Sequence, residues 1–378
     1  MSTARTRTLR EIAQLNPRAA QLEPEDEVAF VGMADLDDVS ARTTSDTRRP
    51  YSEVSKGYTP FRNGDLLAAK ITPCWQNGKI GVATLDVEHG VGSTEFHVIR
   101  PDDEVNPRYL LHFLRTPEVR ETGTLRMTGS GGQRRVPLKF MSDLQVPLPQ
   151  AEVQHRIASI LDEADAIRTK RRAQLAHLDE LPKALFHEMF QGTQWPRNPI
   201  GNVGKVSTGK TPPTRVSGMF GGPTPFITPG DLASSSPAAR SLTREGAKRS
   251  QTVRDGATLV CCIGATIGKV GQATIASAFN QQINAIEWSD EVNDTFGFWQ
   301  LRLMRNEVAR AGASTTLPIL PKSRFAALEI DIPPLALQCD FSAKVAAIDA
   351  ERDRVARTLD ADDELFAALQ HRAFRGEL

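Results

Sequence analysis

The stretch "PQAEVQHRIASILDEADAIRTKRRAQLAHLDELPKAL", Pro149–Leu185, lies in the middle of the 378-residue chain and decides how the rest is organised. Its composition is typical of one long helix, and its opening proline suits a helix start. Pro182 predicts that this helix ends or kinks near Leu181. From Ala151 to Leu181 it would span roughly 45 Å at about 1.5 Å per residue. A single amphipathic helix cannot bury its own apolar face, so it needs a partner.

The helical stretch is repeated near the end of the chain. Leu148–Gly192 aligns without a gap over Ile332–Gly376. Proline opens and glycine closes both copies, as at the two ends of many helices. The matched positions include Gln154/Gln338, Asp179/Asp363, His187/His371 and Phe190/Phe374.

Both copies carry an apolar stripe with steps of three and four residues, which is typical of a coiled-coil seam. We therefore predict that the two helices pack on each other, antiparallel. The alternative is that each helix lies on the core of its own domain. The predicted seam residues are Ile157, Leu161, Ala164, Leu175, Leu178 and Leu185 in the first copy, and Phe341, Val345, Ile348, Val355, Leu359, Phe366 and Leu369 in the second.

The segments that precede the helices also resemble each other. "FVGMADL" (Phe30–Leu36) parallels "FITPGDL" (Phe226–Leu232), and "NGKIGVA" (Asn77–Ala83) parallels "IGKVGQA" (Ile267–Ala273). Each segment reads as short strands with glycine turns, an amphipathic helix and a glycine-rich loop. The predicted fold class is α+β, a pseudo-two-fold tandem repeat with domains at 1–147 and 193–331 and spacer helices at 148–192 and 332–378.

Composition bounds the class of protein. The chain carries 46 basic and 46 acidic residues, but residues 193–331 hold 15 basic and 10 acidic ones, which is compatible with a DNA-binding surface. No apolar stretch reaches the roughly 20 residues that cross a membrane. The four scattered cysteines predict neither structural disulfides nor a metal site. We expect a cytoplasmic protein without a membrane partner.

The chain resembles the DNA-specificity (S) subunits of bacterial type I restriction–modification systems. The most diagnostic stretches are "VPLPQAEVQHRIASILDEADAIRTKRRAQLAHLDEL" (Val146–Leu181) and "STGKTPPTRVSGMFGGPTPFITPGDL" (Ser207–Leu232). The resemblance covers nearly the whole chain, including the order domain, helix, domain, helix. "PPLALQCDF" (Pro333–Phe341) departs from the family's usual helix opening.

The resemblance implies a non-catalytic subunit that reads a bipartite site in double-stranded DNA. The two domains would be target recognition domains, and a helical spacer on the order of 40 Å would separate half-sites by on the order of 10 base pairs at about 3.4 Å each. The outer helix faces would dock two methyltransferase (M) subunits, which methylate adenine. Cleavage would belong to ATP-driven restriction and translocation (R) subunits.

The sequence contains stretches that resemble catalytic or metal-binding motifs, but none of them predicts such a site. Gly204–Thr211 matches the phosphate-loop pattern, but Pro212 and Pro213 prevent a helix from starting where that motif needs one, so we expect a loop. "DIPPL" (Asp331–Leu335) lacks the aromatic residue of a methyltransferase motif and marks the repeat boundary. The seven histidines show no metal-ligand spacing, and we expect no cofactor.

Polar loop residues are the candidates for DNA contact, because Arg reads guanine, Asn and Gln read adenine, and Lys, Ser and Thr hold phosphates. The alternative for each is an ordinary solvated residue. In domain one the candidates are Gln76, Asn77, Lys79, Arg126, Gln133, Arg134, Arg135 and Lys139. In domain two they are Lys210, Thr211, Lys269, Gln281, Gln282, Asn284, Ser314, Thr315 and Lys322.

The alternative function is a helical scaffold with two protein-binding heads. Binding to random duplex distinguishes the two, because phosphate contacts make DNA affinity fall steeply with salt.

Overall fold

A computed structural model describes residues 5–45, 47–130, 132–232, 237–313 and 318–378. Backbone contacts divide the chain into two units, residues 1–175 with 355–378 and residues 176–354. The predicted candidates Ser314 and Thr315 lie outside the described residues.

The first unit contains twelve strands within its described residues: β1 Arg5–Thr8, β2 Ala13–Leu15, β3 Glu27–Val31, β4 Leu36–Asp37, β5 Arg42–Thr43, β6 Arg48–Pro50, β7 Thr59–Arg62, β8 Leu66–Ala69, β9 Ile80–Val82, β10 His89–Gly92, β11 Phe96–Pro101 and β12 Gln145–Leu148. Its short helices are α1 Tyr51–Val54, α2 Pro107–Leu114, α3 Pro117–Leu125 and α4 Leu138–Asp143, with a 3-10 turn at Leu9–Glu11. The long helix α5, Ala151–Phe190, begins in this unit and continues into the second.

The second unit contains, in its described part, ten strands: β13 Arg197–Pro199, β14 Gly204–Thr208, β15 Phe220–Ile227, β16 Ser241–Leu242, β17 Gln251–Val253, β18 Thr258–Cys261, β19 Val270–Gln272, β20 Ser277–Phe279, β21 Ile283–Trp288 and β22 Glu329–Asp331. Its helices are α6 Ile200–Val203, α7 Arg244–Lys248, α8 Asp294–Leu303, α9 Arg305–Ala311 and α10 Lys322–Ala326. The second long helix, α11, runs over Leu335–Phe374 and ends in the first unit.

The strand order repeats between the units. The sheet β6-β3-β10-β7 corresponds to β16-β15-β20-β17, and each contains one parallel pair, β3 with β10 and β15 with β20. The order β2-β11-β8-β9 corresponds to β14-β21-β18-β19, and the first unit extends this sheet with β5 and β4. The fold is therefore mixed α/β with an internal repeat of sheet topology.

Each domain core is built by alternate strand residues and the helices that cover them. In the first unit Leu66, Ala68 and Ile99 pack with Leu110 and Leu114 of α2. In the second, Val260 and Ile286 pack with Phe296 and Leu301 of α8. Burial of these side chains, worth about 1.5–3 kcal/mol for each large one, holds sheet and helix together.

A buried glutamine fastens the start of each long helix to its domain. Gln154 Oε1 accepts from the Asn106 backbone N–H at 2.9 Å, while its Nε2 donates to the Glu104 and Pro149 carbonyls. Gln338 makes the same three bonds, to the backbone of Asn293, Glu291 and Pro333. Since Asn106 and Asn293 also cap α2 and α8, each glutamine connects the two helix starts directly.

Pro182 was expected to end or kink the first long helix near Leu181; an end there is wrong, because α5 passes through Pro182 to Phe190. A proline inside a helix costs about 3 kcal/mol. Beyond it, Phe186 stacks on Phe296 with ring centroids 5.6 Å apart, and Phe190 meets Phe341 at 5.5 Å. Burial of two phenylalanines offsets that cost and keeps the last turns helical.

The helix halves contact both their domain and each other within each unit. In the first unit Ile157 and Leu161 cluster with Tyr109 of α2 and with Ala373 of α11. In the second unit Phe341 meets both Phe186 of α5 and the domain core. The alternative in which each helix packs on its own domain therefore also holds in part.

Neither 40-residue helix, nor any other helix in the described part of the chain, has an apolar stretch that could cross a bilayer.

Candidate functional site

Four loops of the first unit are joined by hydrogen bonds into one surface. They are residues 32–35 after β3, 70–79 between β8 and β9, 93–95 between β10 and β11, and 127–136 between α3 and α4. The Thr72 N–H donates to the Arg134 carbonyl at 2.9 Å, and the Lys70 N–H donates to the Glu95 carbonyl at 2.8 Å. We call this set of loops the four-loop surface.

The second unit builds its four-loop surface from the matching loops, residues 228–231, 262–269, 280–282 and the described parts of 312–321. The Gly264 N–H donates to the Pro318 carbonyl at 2.9 Å, as Thr72 does to Arg134. The Cys262 N–H donates to the Gln282 carbonyl at 2.8 Å, as Lys70 does to Glu95. The backbone framework thus repeats, while the side chains that it carries differ.

Besides Lys79, five predicted residues of domain one lie on its four-loop surface, namely Gln76, Asn77, Gln133, Arg134 and Arg135. The first four are exposed. Arg134 also donates from Nη2 to the Met127 carbonyl at 2.8 Å. Polar side chains here can meet a ligand without rearranging the core.

Arg135 is held by a residue that the sequence did not indicate. Its guanidinium makes paired bonds to Glu95, at 2.7 Å from Nη2 to Oε1 and 2.9 Å from Nε to Oε2. The bond from Arg135 holds the pKa of Glu95 below its usual value, so the pair is ionised at neutral pH. No local motif marks Glu95, since the partners lie 40 residues apart.

Four predicted residues of domain two also come together. Lys210 and Gln281 are exposed, and Thr211 donates from Oγ1 to Gln281 Oε1 at 2.5 Å. Gln282 accepts at Oε1 from Asn280 Nδ2 at 3.1 Å. The Lys210 N–H bonds to the Phe279 carbonyl, which brings the loop after β14 beside residues 280–282.

Asn284 corrects one prediction of DNA contact. Its side chain is only 3% exposed, and its Oδ1 accepts from Thr208 Oγ1 at 2.7 Å. It lies in the interior part of β21, where it faces the neighbouring strand β14. The buried Asn284 side chain therefore binds the Thr208 hydroxyl and does not reach a base.

Lys79 and Lys269, which we expected to hold DNA phosphates, are half-buried and bond to backbone carbonyls of their own domains. The Lys79 Nζ donates to the Met33 carbonyl at 2.8 Å. The Lys269 Nζ donates to the Pro229 carbonyl at 2.9 Å. Both side chains therefore connect two loops of the four-loop surface.

The remaining predicted residues lie on helix ends. Lys139 is in α4 and not in a flexible loop, where it pairs with Asp143 at 3.1 Å. With Arg126, at the end of α3, it lines a cleft of about 870 Å³ floored by Phe113 and Phe374. Lys322 is exposed at the first residue of α10.

The phosphate-loop match is not a nucleotide site. Gly204–Thr208 forms strand β14, which corrects the expectation of a loop there, and residues 209–219 contain no helix. The motif therefore lacks the helix N-terminus that binds phosphate. Among the described residues, no group of three His, Cys, Asp or Glu side chains is placed to hold a metal ion.

All thirteen predicted seam residues are buried or half-buried. In the first unit Arg168 pairs with Asp363, and its guanidinium lies 4.1 Å from the Phe366 ring centroid. In the second unit Arg352 approaches Asp179 at 3.7 Å. These ion pairs join repeat-equivalent positions, so the contact between α5 and α11 has the same chemistry in both units.

A unit-specific ion cluster joins α5 to the first domain. Asp162 accepts from Arg108 Nε at 3.0 Å and lies 2.7 Å from His112 Nε2. Burial opposes ionisation of Asp162, but the bonds to His112 and Arg108 outweigh it and lower its pKa to about 2. The carboxylate is therefore charged at neutral pH and holds α2 against α5.

A family model described as the type I restriction modification DNA specificity domain matches residues 1–177 and 193–351. The type I restriction enzyme EcoAI specificity subunit of Escherichia coli is 39% identical over 152 residues, 40% of this chain and 26% of that subunit. The match thus spans about a quarter of that relative. The HindI specificity subunit of Haemophilus influenzae is 24% identical over 375 residues, covering 76% of this chain and 81% of that one.

Two solved structures share the fold over nearly all of the chain. One comes from a study of complex assembly and conformational transition of the type I R-M system, with a TM-score of 0.66 at 19% identity over 100% of this chain and 99% of that one. The other is the type I S subunit from M. genitalium, with a TM-score of 0.61 at 14% identity over 99% and 97%. At sequence identities this low, the structural similarity shows the fold alone.

Proposed function

The chain belongs to the type I restriction modification DNA specificity family, and from that membership we propose that it reads a bipartite site in double-stranded DNA. It acts as the non-catalytic subunit, and the chemistry of adenine methylation and DNA cleavage lies in its partners. Each domain recognises one half-site through its four-loop surface.

One observation supports this proposal above the others. The two four-loop surfaces share a backbone framework, yet their matched side chains differ, as in Glu95 against Gln282. A binding surface for one repeated partner would keep its side chains alike. Two surfaces that read different base sequences keep the framework and change what it carries.

The exposed side chains suit base edges and phosphates. In domain one Arg134 and Arg135 can donate to guanine, and Gln76 and Asn77 can pair with adenine. In domain two the exposed amide of Gln281 can pair with adenine, and the exposed Lys210 can donate to a phosphate. Ser314 and Thr315 remain predictions.

We further propose that α5 and α11 form an antiparallel coiled-coil spacer between domains 1–147 and 193–331, with the spacer segments at 148–192 and 332–378. The repeat-equivalent pairs Arg168–Asp363 and Arg352–Asp179 support it, since both fit one antiparallel register. The spacer sets the number of base pairs between the half-sites.

The outer faces of the same helices are the proposed docking sites of two methyltransferase subunits, and restriction and translocation subunits complete the complex in the cytoplasm. Exposed apolar residues support the docking. Ile167 and Leu365 are 50% and 56% exposed in the first unit, and Leu181 is 45% exposed in the second. Leu181 and Leu365 occupy matched repeat positions, so two like partners could bind.

Genome-wide methylation mapping with and without this gene tests the proposal. We expect one bipartite adenine-methylated motif that disappears when the gene is deleted. The purified chain should neither hydrolyse ATP nor bind adenosylmethionine. An unchanged methylation map in a strain with active partners, or turnover by the chain alone, would contradict the proposed role.

A further inference from the structure

Lys79 and Lys269, which bond to backbone carbonyls of their own domains, occupy matched positions in the repeat. Lys79 belongs to "NGKIGVA" and Lys269 to "IGKVGQA". Their ammonium groups reach back 46 and 40 residues, to the carbonyls of Met33 and Pro229. These acceptors are themselves matched in "FVGMADL" and "FITPGDL".

The accepting loop is closed from its other side by a matched aspartate. Asp35 Oδ2 accepts from the Gly32 N–H at 2.7 Å, and Asp231 Oδ2 accepts from the Thr228 N–H at 2.8 Å. The carbonyl that binds the lysine lies inside the turn that each aspartate closes. Each turn is therefore held by local bonds to its aspartate and by the lysine of a distant loop.

The charge-assisted bond orders a part of the surface that lacks regular structure. An ammonium has three donors and no acceptor, so a backbone carbonyl is a strong partner for it. Lys79 lies three residues after Gln76, and Lys269 lies in the loop whose Gly264 approaches Gln282. Fixing the lysine thus fixes the chain that carries the candidate base-reading amides.

We propose that Lys79 and Lys269 are positioning residues for base recognition, each arranging the four-loop surface of its own domain without contacting DNA. The proposal rests on the proposed function. Loss of either lysine lowers discrimination at one half-site and leaves the number of phosphate contacts unchanged. Removal of a phosphate-binding lysine has the opposite signature, because it weakens binding to all sequences and lowers the salt dependence.

The experiment compares Lys79→Met and Lys269→Met in the complex with the methyltransferase subunits. Binding is measured across a salt series on the duplex motif found by methylation mapping and on duplexes with one half-site scrambled. We expect each variant to lose about tenfold or more of its discrimination at one half-site, a different one for each. The slope of log affinity against log salt should not change.

Lys210→Met supplies the contrast, since its exposed ammonium is placed for a phosphate. It should lower the salt slope by about 0.9. The same reduction in Lys79→Met, with equal loss on matched and scrambled duplexes, would overturn the positioning role. Equal loss at both half-sites, or undiminished discrimination, would overturn it as well.

Asp35→Asn guards against a folding defect in Lys79→Met. It weakens the same turn from its local side, so it should impair the same half-site as Lys79→Met, with unfolding temperature recorded for both. A different half-site, or none, speaks against the proposal. Failure of the wild-type complex to distinguish matched from scrambled duplex would instead refute the proposed function, whatever the variants do.

Discussion

Arg134 and Arg135 are adjacent in sequence but have different partners. Arg135 makes paired bonds to Glu95, whereas Arg134 is exposed and its guanidinium donates one bond, to the Met127 carbonyl. A guanidinium held by a carboxylate has a fixed orientation and still has donors to spare. We infer that Arg135 is oriented in advance and that Arg134 adapts to its ligand.

The double variant Arg134→Ala, Arg135→Ala should weaken or relax recognition of one half-site only. The expected loss is about 1–3 kcal/mol for each base contact removed, because a paired guanidinium bond to guanine is worth that much. Methylation mapping and binding to duplexes with single substitutions measure it. Arg10→Ala is the control, since Arg10 is exposed and pairs with Asp143 at the end of α4. Equal loss at both half-sites contradicts the assignment of one domain to one half-site.

Residue type alone predicted what a side chain can bind but not whether it is free to bind it. Asn284 has the chemistry of an adenine reader, yet strand β21 places it inside the domain. Lys79 and Lys269 have the chemistry of phosphate contacts, yet carbonyls 46 and 40 residues away hold them. Such partners depend on how distant loops meet, which no local pattern records. Their matched positions in the repeat were the available signal.

At the scale of elements, each long helix is joined to its domain by polar bonds as well as apolar packing. Both units contain the same bonds from a glutamine to the start of a neighbouring helix, and these glutamines, Gln154 and Gln338, are matched positions of the sequence repeat. The Asp162 cluster exists in the first unit, and Ala346 stands at the matched position in the second. Attachment of the first domain therefore has an ionic component that depends on the charge of Asp162.

Asp162→Asn should destabilise the first unit at neutral pH but not in acid. Since the folded pKa of Asp162, about 2, lies below its unfolded value, the stabilisation is complete above about pH 4 and disappears as the pH falls through 2. With the side chain 35% exposed, we expect about 1–2 kcal/mol at pH 7 after allowing for solvent screening. Unfolding curves at pH 7, 3 and 2 measure it, with about half of the difference expected to remain at pH 3 and little at pH 2; Asp360→Asn is an exposed aspartate control. A difference independent of pH would show that the carboxylate charge is not the cause.

The long helices also show what periodicity can and cannot predict. The steps of three and four residues identified side chains that are all buried or half-buried. Pro182 suggested a helix end because a proline removes one backbone bond, but the phenylalanines that outweigh this loss contact α8 and α11. A helix end that depends on tertiary packing cannot be predicted from a local sequence pattern.

At the scale of the whole molecule, duplication explains both the likeness and the difference between the units. The repeat preserves strand order, helix anchors, lysine bonds and the Arg–Asp pairs between α5 and α11. Apart from the matched lysines and aspartates, many side chains of the four-loop surfaces differ, as in Glu95 against Gln282. We expect this pattern if one framework was duplicated and its two four-loop surfaces then diverged to bind different base sequences.

Shortening both helices by matched heptads should change the gap between half-sites and nothing else in the motif. Deleting residues 169–175 and 356–362 keeps Arg168–Asp363 and Arg352–Asp179 in register, because seven residues preserve the phase of a coiled-coil seam. Each helix loses roughly 10 Å at about 1.5 Å per residue, so we expect the methylated half-sites to move closer by about three base pairs at about 3.4 Å each. Inserting seven residues at the same two places should widen the gap by the same amount. If methylation mapping returned altered bases with the original gap, the helices would not set the spacing, and the two domains would have to measure it by their own contacts with the intervening DNA.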